Sequence, residues 1–241
     1  MRNDKESSID ERYLGSDYID KNPTWDIEDS PWKAGNVRKI LENNNIRPTS
    51  IAEVGCGAGG VLSELRKYYP DVALSGFDIA PDAQKFWEQF AGININFRLG
   101  DFFKVNDERY DIILLLDILE HLPDPFKFLD DIVTDADYFV IHFPLDLSSI
   151  SVFREKPLLY VRDKVGHLQY YTKGLALALL DDCGFEVIDC QYTGAAFNAP
   201  QRTYRTRLAG LFRRIAYMFG KDRGVRLLGG ETLMVLAKKR K

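Results

Sequence analysis

Three cysteines, three histidines and no run of about 18 apolar residues are what this 241-residue chain has least of. Cys56, Cys183 and Cys190 are odd in number and show no C-x-x-C spacing, which excludes a disulfide framework or a thiolate zinc site and predicts reduced thiols. His121, His142 and His167 lack a ligand spacing such as H-x-x-x-H, so no metal site is predicted. Without a long apolar run there is no helical membrane span, and the opening "MRNDKESSID" lacks the apolar stretch of a signal peptide. A cytoplasmic location is the expectation. No Gly/Ser or Pro tract marks a linker and no internal repeat is present, so the length suits one domain with a sizeable core.

Charge is present but unevenly spread. The net charge of −4 conceals a basic stretch: residues 201–241 hold twelve Lys/Arg against Asp222 and Glu231. Within it, "RLAGLFRRIAYMFGK" places Leu208, Leu211, Phe212, Ile215 and Phe219 on one helical stripe, with Arg207, Arg213 and Arg214 off it. Such a helix, over 206–220, either packs on its own domain or lies on an anionic membrane surface.

From residue 50 onward, short apolar runs alternate with longer segments of helical period, the pattern of a mostly parallel sheet covered on both faces. Seven strands are expected at 50–55, 72–78, 95–100, 110–117, 137–143, 185–193 and 231–239. Helices are expected at 59–69, 81–91, 125–134 and 173–182, the last with Thr172 as N-cap and Gly184 as stop. Another covers 30–45, with Ser30 as N-cap and Pro31 at its first position. Residues 144–171 read as one long loop, and its Phe153, Leu158, Leu159, Tyr160, Tyr170 and Tyr171 are candidates to wall an acceptor pocket.

The stretch "EVGCGAGG" at 53–60 ends a strand in glycines and turns into a helix, pointing backbone N–H groups at a ligand above the strand. Gly55, Gly57 and Gly60 also spell G-x-G-x-x-G, so a dinucleotide, a nucleoside and a phosphate all remain open at this loop. The next strand ends at Asp78, placed for two ribose hydroxyls. "LGDFF" adds Asp101 and Phe102 after the third strand, and "LLLDILEHLPDP" adds Asp117, Glu120, His121 and Leu122 after the fourth.

These four motifs, in this order and spanning residues 50 to about 192, resemble the class I (Rossmann-like) S-adenosylmethionine-dependent methyltransferases of small molecules. The resemblance implies an α/β, doubly wound, seven-stranded mostly parallel sheet with an antiparallel final strand. It divides the chain into an N-terminal segment with a cofactor-covering helix (1–45) and a methyltransferase domain (46–241) with a basic helical insertion at about 194–230. Carried over, Glu53, Gly55, Cys56 and Gly57 line the methionine part of S-adenosylmethionine, Asp78 and Ile79 the ribose, Asp101 and Phe102 the adenine, and Asp117 the methionine ammonium. Trp32 and Lys33 lie where the family's N-terminal helix covers the cofactor. S-adenosylhomocysteine is then the product.

Methyl transfer needs alignment of nucleophile, methyl carbon and sulfur, and a base only where the nucleophile must lose a proton. His167 is the favoured base candidate, with His121 and Asp146 beside it in the reading; His142, inside a strand, reads as sheet packing. The acceptor is expected to be a small molecule with its O, N or C nucleophile unresolved, and "DILE" in place of an N-P-P-Y motif argues against nucleic-acid bases. Three alternatives stand beside this: a membrane-associated enzyme acting on a lipid-linked or quinone-like acceptor through peripheral contact at 206–220, a non-catalytic binding protein on the cofactor fold, and an NAD-dependent oxidoreductase.

Overall fold

The computed structural model describes residues 13–15, 17–198 and 204–240, and the side chains of 17, 204–209 and 211 fall outside that description. The first dozen residues, and the side chains of Arg207, Leu208 and Leu211 of the basic helix, therefore lie outside that description.

Seven strands form one sheet in the order β3-β2-β1-β4-β5-β7-β6. They are β1 (Ser50–Val54), β2 (Ala73–Asp78), β3 (Asn96–Leu99), β4 (Tyr110–Leu116), β5 (Ala136–Pro144), β6 (Phe185–Tyr192) and β7 (Thr232–Lys239). The first five are parallel; β7 enters antiparallel between β5 and β6. Every expected strand is present, with ends shifted by a residue or so. Between β1 and β4 the strand order reverses direction, which opens a crevice above their carboxyl ends.

Alternation along the strands supplies both cores. Ile51, Ile112, Leu114, Val140 and Leu236 face one side, where helices α2 (Ser30–Asn43), α3 (Gly60–Tyr68) and α4 (Pro81–Trp87) bury Val37, Ile40, Leu41, Leu62, Leu65 and Trp87 against them. Ala52, Ile113, Leu115, Phe139 and Val235 face the other, against Leu129 and Ile132 of α6 (Pro125–Ile132) and Leu179 and Leu180 of α9 (Lys173–Asp182). A short helix α1 (Asp17–Lys21) precedes the 3-10 turn Ile27–Asp29, and a one-turn helix α5 (Phe102–Val105) follows β3.

Several local expectations need correction. Ser30 is the first helical residue of α2 and not its N-cap; it is buried, and the preceding Asp29 makes no side-chain cap bond. The reason is packing: a Cβ at Gly60 would stand 2.2 Å from Ser30 Oγ, so the serine fills the notch where α2 crosses α3. The helix at 81 stops at Trp87 and continues only as a 3-10 turn, Glu88–Phe90. Thr172 caps α9 as expected, accepting from Leu175 N at 3.2 Å.

Residues 144–171 are not one loop. They hold α7 (Ser149–Arg154), opened by a Ser148/Ser151 capping box, and α8 (Lys156–Lys164). Their apolar residues do not wall a pocket as expected: Phe153 is 91% exposed, Leu159 and Tyr160 also face out, and Tyr171 is buried in the core against Phe143. Among the described residues the basic insertion holds three helices, α10 (Ala195–Asn198), α11 (Tyr204–Met218) and α12 (Lys221–Leu228).

Two glycines give opposite predictions. Gly35 lies mid-helix in α2 with nothing within 4 Å of a built Cβ, so Gly35→Ala should raise stability by about 0.5–1 kcal/mol. Gly60→Ala would press a methyl group on Ser30 and Ile27 and should lower it by about 1–3 kcal/mol. Thermal unfolding of the two variants beside the parent checks both signs.

Candidate active site

The loop after β1 runs through positive φ at Gly55 and Gly57, and Gly57 lies so close under the Trp25 ring that a Cβ would meet it at 3.1 Å. The N–H groups of Gly55 and Cys56 both donate to Phe77 O, tying the loop to β2. Gly57 N–H donates to Asp78 Oδ2 at 2.7 Å and Ala80 N–H to Asp78 Oδ1 at 2.8 Å. Asp78 is thereby fixed at the end of β2, each oxygen keeping a lone pair for a further donor. Trp87 Nε1 donates to Gly57 O at 2.9 Å and supports the loop from below.

Around this loop the structure gathers acids. Asp117, in a left-handed conformation (φ 55°) just past β4, takes the Lys33 ammonium on Oδ2 at 2.7 Å and His142 Nδ1 on Oδ1 at 2.6 Å. His142 Nε2 is 2.7 Å from Thr232 Oγ1 at the start of β7. Burial works against the Asp117 charge, but His142 and then Lys33 overcome it and hold the carboxyl well below the usual range. Lys33 answers in kind: although burial opposes its charge, Asp117 raises its pKa. His142 is buried in the sheet as the sequence suggests, and it also anchors this ion pair, a role its strand position did not announce.

Glu53 has no such partner. It is buried at the end of β1, its Oε2 makes no hydrogen bond among the described residues, and burial pushes its carboxyl up to about 8. Trp32, at the start of α2, sits edge-on to His142 with its Nε1 likewise unsatisfied. Ile79 is 40% exposed beside Asp78. Asp101 caps α5, accepting from Phe103 N at 3.2 Å, and pairs with Lys104. The Phe102 ring, expected beside an adenine, packs edge-on to Phe77 in the core from the first position of α5.

The second half of the site lies above β4 and β5. Glu120 is wholly buried in the turn Leu119–His121, and neither carboxylate oxygen finds a hydrogen bond among the described residues. Its backbone carbonyl accepts from Leu168 N at 2.7 Å and Gln169 N at 3.0 Å, which clamps the turn to the segment carrying His167. The rings of His121 and His167 meet edge-to-face with centroids 5.0 Å apart. His167 Nδ1 is 2.7 Å from Asp146 Oδ2, so the three proposed acid–base residues are brought together, with Glu120 among them.

An N-terminal strap covers these groups, and sequence reasoning missed it. Tyr13 Oη is 2.9 Å from His121 Nδ1, the Tyr18 ring meets Trp25 at a tilt with centroids 4.8 Å apart, and Trp25 lies over Gly57. Burial, with the charges of Asp26, Asp117, Asp78 and Glu120, raises the Tyr18 pKa. The strap is tied to α8: Lys21 donates to Asp163 O at 2.9 Å and Asn22 Nδ2 to Lys164 O at 3.4 Å. Three aromatics within thirteen residues, Tyr13 to Trp25, were the available signal.

A family model described as a methyltransferase domain matches residues 32–189. Ajmaline N-methyltransferase of Rauvolfia serpentina is 30% identical over 97 residues, covering 37% of this chain and 33% of that protein. Ubiquinone biosynthesis O-methyltransferase of Azorhizobium caulinodans is 34% identical over 116 residues, covering 42% of this chain and 44% of that protein. The matched stretch therefore spans less than half the length of these relatives. The plantazolicin methyltransferase BpumL in complex with SAH superimposes with a TM-score of 0.64 over 98% of this chain and 96% of its own, at 16% identity. Magnesium protoporphyrin IX methyltransferase (ChlM) from Synechocystis PCC 6803 with bound SAH gives 0.57 over 99% and 96%, also at 16% identity. At such identities the likeness is one of fold, and the fold is the class I sheet with its antiparallel last strand. With the family model covering well over half of the sequence, the chain belongs to the methyltransferase-domain family.

Proposed function

We propose that the chain transfers the methyl group of S-adenosylmethionine to a hydroxyl oxygen of a small organic acceptor by in-line displacement. The family membership supports the donor, and the buried atoms fit it. Asp78 has lone pairs for the ribose hydroxyls, Glu53 and Asp117 suit the methionine ammonium, and the unsatisfied Nε1 of Trp32 can donate to the carboxylate. Gly55, Cys56 and Gly57 supply the close backbone, Ile79, Asp101 and the backbone of Phe102 border the adenine side, and Lys33 holds Asp117 ionised. Bound there, the cofactor supplies a methyl group already activated on a sulfonium. The NAD oxidoreductase reading of the same glycines falls with the family match.

The oxygen acceptor rests on one observation: the Asp146–His167 pair, 2.7 Å apart, adjoining His121. A carboxylate on Nδ1 fixes the tautomer and orientation of an imidazole and leaves Nε2 turned to the acceptor side, an arrangement that suits removal of a hydroxyl proton. His167, with His121 beside it, is the group that serves the acceptor's proton; an amine acceptor has less need of one. Positioning and exclusion of water by the strap supply the larger share, roughly 7–11 kcal/mol in well-oriented cases. The experiment is transfer of labelled methyl from S-adenosylmethionine to paired phenol, alcohol and amine acceptors. Methyl ethers are expected, and His167→Ala should lower kcat about 10²–10⁴-fold while S-adenosylhomocysteine affinity stays within about twofold. Products on amines alone would overturn the oxygen assignment.

A second reading concerns where the acceptor resides. Phe212, Ile215, Met218 and Phe219 of α11 and its end are exposed, Met218 by 85% and Phe219 by 79%, rather than packed on the domain. Arg214 and Arg223 flank them, also exposed. Apolar side chains with a basic surround suit the surface of an anionic bilayer, as in a peripheral enzyme with a lipid-linked acceptor. No helix among the described residues is long and apolar enough to cross a membrane. Co-sedimentation with phosphatidylglycerol vesicles should be at least tenfold weaker for a Phe212→Ser, Met218→Ser, Phe219→Ser variant; equal, negligible binding by parent and variant would remove this reading.

A further inference from the structure

The carboxylate of Glu120 is fully buried without a hydrogen-bond partner among the described residues, a costly state unless something else neutralises it. Two imidazoles stand beside it. One ligand atom each from Glu120, His121 and His167 can be chosen so that all lie within 4.8 Å of one another, and His121 Nε2 is 3.9 Å from Glu120 Oε1. Each ring is steered from outside: Tyr13 Oη meets His121 Nδ1 at 2.9 Å, and Asp146 Oδ2 meets His167 Nδ1 at 2.7 Å. An outer partner on one ring nitrogen, which orients the other inward, is the usual second layer of a metal site. The spacing of the histidines along the chain did not reveal this, because the third group comes from 46 residues beyond His121 and is brought in by the Glu120 carbonyl's bonds to Leu168 and Gln169.

We propose that Glu120, His121 and His167 bind a divalent transition-metal cation, with Tyr13 and Asp146 as the outer residues that set the two rings. Two imidazoles and one carboxylate favour Zn²⁺, Fe²⁺ or Mn²⁺ over Mg²⁺ or Ca²⁺. Ligand bonds of about 2.0–2.2 Å require the three groups to close by roughly an ångström, which side-chain rotation on the clamped turn allows. The cation's charge balances Glu120 and Asp146. The proposal builds on the hydroxyl-acceptor reading and specifies one part of it: the two imidazoles act on the acceptor's proton through the cation, which would lower the pKa of a coordinated hydroxyl so that its proton passes to solvent and the oxygen takes the methyl carbon as the carbon–sulfur bond breaks.

The test starts from chelator-treated full-length protein titrated with Zn²⁺ by calorimetry, and with Co²⁺ by visible absorption. The third histidine, His142, is buried in the sheet on Asp117 and Thr232, so a histidine-dependent signal has one source. One equivalent of each metal should bind, about 10–100-fold more weakly in Asp146→Asn and weaker still in Glu120→Gln and His167→Gln. Asp146 is only half-buried, so its variant keeps the test open should a Glu120 substitution disturb folding. No stoichiometric binding, or equal affinity in parent and folded variants, overturns the proposal. Labelled methyl transfer before and after chelation separates the two readings. Transfer to hydroxyls that chelation leaves untouched overturns the cation's role and keeps the oxygen acceptor. Stoichiometric, Asp146-sensitive metal binding supports the site even if only amines are methylated, a result that overturns the oxygen acceptor alone.

Discussion

Four carboxylates, those of Glu53, Asp78, Asp117 and Glu120, are held at or just past the carboxyl ends of β1, β2 and β4, three of them buried and Asp117 half-buried. Like charges so placed cannot all stay ionised, and each is settled differently. Asp117 keeps its charge through His142 and Lys33, and Asp78, whose pKa burial raises, is braced in part by two backbone N–H groups. Glu53, lacking such partners, is driven toward its protonated form by burial, and Glu120 is left to the cation proposed beside it. Much of the surrounding architecture serves this arrangement. Helix α2 must lie close enough on α3 to deliver Lys33, which the missing Cβ of Gly60 permits, and β7 must insert beside β5 to place Thr232 against His142.

The two halves of the site differ in origin. The centre of the cofactor half is local, a strand end, a glycine loop and the next strand end within about two dozen residues, and Lys33 of α2 and Asp117 after β4 join it from further along the chain. The acceptor half is assembled from the Glu120 turn, the Asp146 segment after β5, the His167 segment after α8 and the strap carrying Tyr13. That half can vary while the sheet stays the same, which is how one fold serves many acceptors.

The same division explains what could be seen in the sequence. The strands were legible because Val, Ile and Leu runs buried on both faces leave a strong signal, and the glycine loop and Asp78 because their spacing is set by one strand–turn–helix unit. Helices α7 and α8 were not, since Phe153, Leu159 and Tyr160 face solvent and produce no core-directed stripe. Phe102 was placed beside a ligand by its motif, and the structure shows its ring packed on Phe77 from the first turn of α5, a direction the motif does not encode. Glu120 and His167 carry no mark of each other along the chain; only the clamp between the turn and residues 168–169 makes them neighbours.

The central claim is that the buried acids at β1 and β4 receive the cationic methionine end of S-adenosylmethionine. Its most direct test is calorimetric titration with that cofactor at pH 7, in buffers of differing ionisation enthalpy. Glu53, pushed up to about 8, carries a proton at this pH in the free protein, and an arriving ammonium lowers its pKa, so the proton must leave. The account predicts release of close to one proton per cofactor bound, abolished in Glu53→Gln; tight binding with no proton release by the parent would contradict it.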